Sequence, residues 1–183
     1  MDALKQYLIP YVLSNILFML CLTAAIKKPI LARLFLSLVF LWAASINFRT
    51  ASVTPEVYLE YSGLTLLSFY RHFINGFFSQ HIKPFVFLMA SGESGIFIGL
   101  VLNKGFVRMA CIGGMVFGLA IAPLGVGSAF PATVTMAFAF WALYNKKGQD
   151  YIWKWRQYTG QVQMAQKNPK IGADEITSQH SST

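Results

Sequence analysis

Residues 84–102 read PFVFLMASGESGIFIGLVL. A helix that crosses the hydrocarbon core of a bilayer needs about 20 mostly apolar residues. This run is that long and holds one ionisable group, Glu93. At ~1.5 Å per residue, Glu93 stands roughly 13 Å into the run, near the bilayer centre. An acid at that depth is costly in lipid and faces the protein interior or a wet cavity. Its neighbours Ser91, Gly92, Ser94 and Gly95 are small enough to admit water or a partner helix. Two roles stay open for Glu93. It is a proton-carrying or ligand-binding carboxyl, or a neutral one that hydrogen-bonds across helices to Asn47 or Thr133 and sets their register.

Outward from this run the same pattern repeats. Asn103-Lys104-Gly105 turns the chain into a second apolar run, 106–124, and Pro123, Gly125, Gly127 and Pro131 punctuate the turn into a third, 130–144. Towards the N-terminus lie 30–48 and 8–26, separated by Lys27-Lys28-Pro29. For residues 8–26 a signal peptide is the rival reading. Only Lys5 charges its start, and no small-residue cleavage site precedes Lys27, so a retained helix is expected. The expected architecture is an all-α, polytopic membrane helix bundle of five spans within a transmembrane domain, residues 1–148. The composition agrees: 55% of the 183 residues are hydrophobic and 12% charged, against about 25% charged in a soluble domain.

The net charge of +8 could suggest a nucleic-acid partner, but the bases lie between the apolar runs and in the tail. Lys27, Lys28, Arg33, Lys104, Arg108, Lys146, Lys147, Lys154 and Arg156 fall on one side of a five-span topology, and Lys5, Arg49, Arg71 and Lys83 on the other. The richer side is the cytoplasmic one. That puts the N-terminus outside, the C-terminus inside, and Arg33 at the near interface with its side chain snorkelling. The aromatic and basic segment 149–160, with Trp153-Lys154-Trp155-Arg156, reads as a juxtamembrane anchor at the headgroups. Residues 161–183 are polar and aperiodic and read as a disordered tail. The expected partners are the lipid bilayer and further membrane subunits or a second copy, with no nucleic acid. The expected location is a cell membrane, bacterial inner or plasma.

The long connection, an outer segment over residues 53–80, is amphipathic from Leu64 to Phe78. Ser68, Arg71, His72, Asn75 and Ser79 share one face at helical spacing, and apolar residues cover the rest. It reads as an interfacial helix, or as a roof whose polar face looks into an outward-facing cavity. Small residues recur every fourth position, as Ser91, Gly95 and Gly99 in one run and Ala110, Gly114, Gly118 and Ala122 in the next. Such ridges let backbones approach closely in lipid. Facing one another across the 103–105 turn, they predict a tight antiparallel pair.

Catalytic signatures are missing. Cys21 and Cys111 lie singly in apolar runs and read as packing residues. His72 and His81 are wrongly spaced for a helical metal pair and lack a third ligand. No metal site is expected, and no cofactor is named by the residues. No phosphate-binding loop, nucleophile elbow or dinucleotide fingerprint occurs. The candidate ligand or proton site comprises Glu93, His72, Asn47, Ser91 and Ser94, and the packing candidates are Gly95, Gly99, Gly114 and Gly118.

Several stretches together resemble one family. These are Ala32-Arg33-Leu34-Phe35-Leu36-Ser37-Leu38-Val39-Phe40, the aromatic Tyr70-Arg71-His72-Phe73, the run Glu93-Ser94-Gly95-Ile96-Phe97-Ile98-Gly99-Leu100, and the basic turn Asn103-Lys104-Gly105-Phe106-Val107-Arg108. From about residue 30 to 144 the chain looks like the DoxX-like family of small four-helix membrane proteins, with residues 8–26 as an added N-terminal helix. The resemblance implies a four-helix core. It also implies a role as an accessory or ligand-binding subunit of a membrane redox or assembly complex, or as a quinone-linked oxidoreductase subunit. A small transporter or channel using Glu93 is the alternative from another class.

Overall fold

The computed structural model describes residues 2–146 and residue 152. The segments read as anchor and tail otherwise lie outside the described residues. Every regular element among the described residues is helical. Helix α1 spans Asp2–Lys27 and α2 spans Pro29–Val53, with Lys28 alone between them. Pro29 opens α2 where a missing N–H costs nothing. A 3-10 turn, Pro55–Glu60, leads to the short α3, Tyr61–Leu64, and then to α4, Ser68–Phe73. A π turn, Ile74–Phe78, follows. Helices α5, Ile82–Val101, and α6, Lys104–Ile121, form the next hairpin. A 3-10 stretch, Ala122–Ser128, precedes α7, Ala132–Tyr144.

Four helical segments are long and apolar enough to cross a membrane: Leu8–Lys27, Pro29–Val53, Ile82–Val101 and Lys104–Ser128. Helix α7 is apolar but has 13 residues, about 20 Å of helix against a hydrocarbon core of ~30 Å. The outward faces are apolar, with Ile9, Leu20, Leu88, Met109 and Val116 all exposed. A patch of that extent is unstable in water and is what a lipid shell covers. These features are consistent with an integral membrane protein.

The helices close into a ring. α2 packs on α5, α5 on α6, α6 on α7, α7 on α1, and α1 back on α2. The core on the side of the α1–α2 and α5–α6 turns is built from Leu36, Phe40, Leu100, Val107, Phe140 and Leu143. At the other end a smaller cluster joins Ala51, Ile74, Phe78 and Val86.

The glycine expectations divide. A Cβ on Gly99 would stand 2.8 Å from Ala110 Cβ and 2.9 Å from Phe106 O, so α5 and α6 do meet closely there. Gly114 and Gly118 do not face α5. A Cβ on Gly118 would be 2.8 Å from Thr133 O, and one on Gly114 would enter the Phe140 ring, so this ridge seats α7. Gly95 is not an interhelical contact at all: nothing lies within 4 Å of its Cβ position. Ser91, Gly92 and Gly95 form an exposed stripe, because the α5 face that carries Glu93 is the one turned inward.

Arg33 does not snorkel. It is 2% exposed, and its guanidinium donates to Leu100 O, at 3.2 Å from Nε and 2.6 Å from Nη2, and to Leu102 O at 2.9 Å. The last carbonyls of a helix lack intrahelical donors and carry partial negative charge. A fixed cation there satisfies both needs. Lys146 Nζ similarly donates to Ile26 O, at 2.8 Å, near the end of α1.

Candidate functional site

A cavity of about 420 Å³ lies among α1, α2, α5, α6 and α7, below the 55–78 segment. Its walls are apolar except at one end, where Glu93, Asn47 and Tyr58 meet, and along one side, where Ser128 and Thr133 stand.

The polar end arises from a detour in the backbone. α2 continues one turn past the expected end of its span, to Val53, before Pro55 starts the 3-10 turn. That reversal returns Tyr58 over the end of α2. Its hydroxyl donates a short hydrogen bond to Asn47 Oδ1. With Oδ1 taken, Asn47 turns its amide to α5, and Nδ2 donates to Glu93 Oε2 at 2.7 Å. Burial, with smaller contributions from Tyr61 and Glu93, pushes the Tyr58 phenol up from its ordinary value, against a hydrogen bond with Thr50 that lowers it. The phenol therefore stays a donor at neutral pH. Tyr61 stacks beside Tyr58, with ring centroids 6.1 Å apart and planes at 28°. Gly127 makes this possible, since a Cβ there would enter the Tyr61 ring.

Glu93 is 2% exposed. Among the described residues its carboxyl has one hydrogen-bond partner, Asn47. The second oxygen, Oε1, has no hydrogen-bond partner among the described residues, and Glu93 lines the cavity. Thr133 does not reach Glu93. Its Oγ1 is buried without a hydrogen-bond partner and lines the same cavity.

The other candidates lie elsewhere. Ser91 Oγ bonds Phe87 O at 2.7 Å on the exposed face, and Ser94 Oγ bonds Ala90 O at 2.8 Å. Both serve their own helix. His72 is exposed, with Nδ1 2.8 Å from Ser68 O, outside the cavity lining.

The roof is inverted relative to the second of the two readings, in which the polar face looks into the cavity. Ser68, Arg71, His72 and Asn75 are exposed, while Tyr70, Phe73, Ile74 and Phe78 line the cavity. Nor is the segment one helix. It breaks between Leu64 and Ser68, where Thr65 Oγ1 and Leu66 N both donate to Pro123 O, at 2.8 and 2.9 Å. Tyr70 Oη donates to Ala120 O at 2.6 Å. These bonds tie the roof to the end of α6. Gly125, at φ +67°, accepts that close approach, since a Cβ there would stand 2.6 Å from Leu64 O.

Sequence reasoning finds Glu93 and Asn47 and misses Tyr58 and Tyr61. Their signal is faint: two tyrosines three apart, just beyond a proline that ends an apolar run.

A cavity of this size with one polar end can hold a small apolar molecule and orient it by a single head group. Among the described residues no three His, Cys, Asp or Glu side chains gather as a metal site. No family model matches the chain, and no curated protein and no solved structure matches it.

Proposed function

We propose that this chain is a five-span membrane protein that binds an apolar ligand in the cavity under the 55–78 roof. In this reading it acts as an accessory or ligand-binding subunit of a larger membrane complex. The ligand's polar head lies against Glu93, Asn47 and Tyr58. α7 is the fifth span, its shortness offset by local thinning of the bilayer or by its aromatic flank. The DoxX-like resemblance of residues 30–144 supports a small-bundle role of this kind. The observation that carries the reading is the cavity itself: about 420 Å³, mostly apolar-walled, with the hydrogen-bonded cluster of Glu93, Asn47 and Tyr58 at one end.

A quinone-handling subunit is the second reading. Glu93 and Asn47 form a polar pair beside an apolar cavity, which is the arrangement that a quinone carbonyl requires. A transporter is less favoured. Transporters commonly show broken helices and repeated halves around their site, whereas α2 and α5 run unbroken past Asn47 and Glu93.

The test is purification in mild detergent, solvent extraction and mass spectrometry. A single apolar species should accompany the wild-type protein in near-stoichiometric amount. It should be lost from Ala43→Phe, which places a ring in the cavity wall. Equal recovery from wild type and Ala43→Phe, or no recovery from either, refutes cavity binding.

A further inference from the structure

Resting on the ligand-binding reading, we propose that the cavity selects lipophilic amines, with the ammonium group held at the Glu93 carboxyl beside the aromatic side chains of Tyr58 and Tyr61 that line the same cavity. Three observations converge. First, the cavity has one ionisable carboxyl and no basic side chain among its lining residues. Second, nine of its 22 lining residues are aromatic, far above the 15% of the chain as a whole. The faces of such rings attract cations, most strongly where water is excluded. Third, the donors at the polar end are already engaged. Tyr58 donates to Asn47, and Asn47 donates to Glu93. The Glu93 oxygen not bonded to Asn47 is left to meet a ligand, and Thr133 Oγ1 is a second unpartnered group in the lining. A ligand that brings an N–H⁺ group finds the Glu93 carboxyl in an aromatic-rich lining.

The charge balance favours entry from lipid. A neutral amine meeting a neutral carboxyl takes the Glu93 proton onto its nitrogen. An ammonium meeting a carboxylate gives the same pair. Only a proton moves, no other bond breaks, and the loaded cavity is neutral overall. An amine can therefore cross the apolar phase uncharged and become charged where a counter-ion waits. Burial of an unpaired charge, the main cost of a cation site in a membrane, is avoided.

The probes are dimethyldodecylamine and its uncharged counterpart of similar shape, dimethyldodecanamide. Each is titrated into the full-length protein in lipid nanodiscs, with empty nanodiscs subtracted. The amine should bind the wild type at least about tenfold more tightly than the amide. Glu93→Gln should bring that ratio close to one. Tyr61→Leu, which leaves the carboxyl in place, should weaken the amine several-fold and the amide little. Ala43→Phe should block both. If amine and amide bind equally and Ala43→Phe blocks both, the amine proposal is overturned while cavity binding stands. If the amine's advantage survives Glu93→Gln, the assignment to Glu93 is overturned. If Ala43→Phe blocks neither probe, binding is to the bilayer-facing surface and the proposal fails. Failure of the cavity reading itself appears separately, in the extraction experiment.

Discussion

Glu93 shows how far a single residue can be read. A lone acid in an apolar run must face inward, and it does, at 2% exposure. Its partner Asn47 was one of two polar residues that could reach it, and it is the one that does. Tyr58 could not be read in the same way. It stands 11 residues from Asn47 in sequence, and only the 3-10 reversal at Pro55 brings it back. Arg33 was misplaced for a related reason. A base near a span's end normally reaches for headgroups, but here the carbonyls of Leu100 and Leu102 lie within 3 Å of its Nη2 and offer a better site. Local sequence cannot display carbonyls that belong to another helix. The chain Tyr58–Asn47–Glu93 makes a prediction for stability. Glu93→Gln keeps an acceptor for Asn47 Nδ2 and should unfold in detergent close to wild type. Glu93→Leu leaves that donor buried and unpaired, at a cost of about 1–3 kcal/mol. Reversible denaturation followed by circular dichroism ranks the two, and equal stability would show that the hydrogen bond contributes nothing.

Among the elements, the small-residue ridges were visible as a pattern but their partners were not. A four-residue repeat shows that some backbone comes near, and ring closure decides which one. Gly99 meets α6, Gly114 and Gly118 meet α7, and Gly95 meets nothing. Gly114→Leu and Gly118→Leu should therefore cost more than Leu100→Ala, itself expected to cost about 2–5 kcal/mol as a buried truncation. The reason is that the added side chain must displace Phe140 or the Thr133 backbone. Gly95→Ala should be neutral or raise stability by up to about 1 kcal/mol, through helix propensity alone. Thermal unfolding of the four variants in one detergent tests the order. A large loss in Gly95→Ala would mean that a partner covers this stripe. The roof illustrates the same limit. Helical spacing of Ser68, Arg71, His72 and Asn75 identified a polar face correctly, yet the apolar face is the one that looks into the cavity. Amphipathicity assigns two faces and leaves open which of them meets protein.

For the whole molecule, the basic residues predict topology. In a protein freed of Cys21 and Cys111, single cysteines at Ser62 and Ser178 should react with an impermeant thiol reagent from opposite sides of the membrane. Reaction of both from one side would refute the five-span arrangement with the N-terminus outside. The sequence by itself determined that the regular elements of the described residues are helical, that several helices are long and apolar enough to cross a membrane, and that Glu93 is internal. Those conclusions rest on composition and on runs long enough to span, which are additive along the chain. Only the tertiary structure decided that five helices close into a ring, that Arg33 caps α5, and that an aromatic cavity lies beneath the roof. These features depend on contacts between residues far apart in sequence, such as Arg33 with Leu100 and Thr65 with Pro123. In lipid no hydrophobic force distinguishes one apolar face from another, so pairing is left to shape and to a few buried polar groups. Their partners become apparent only when the helices are set side by side.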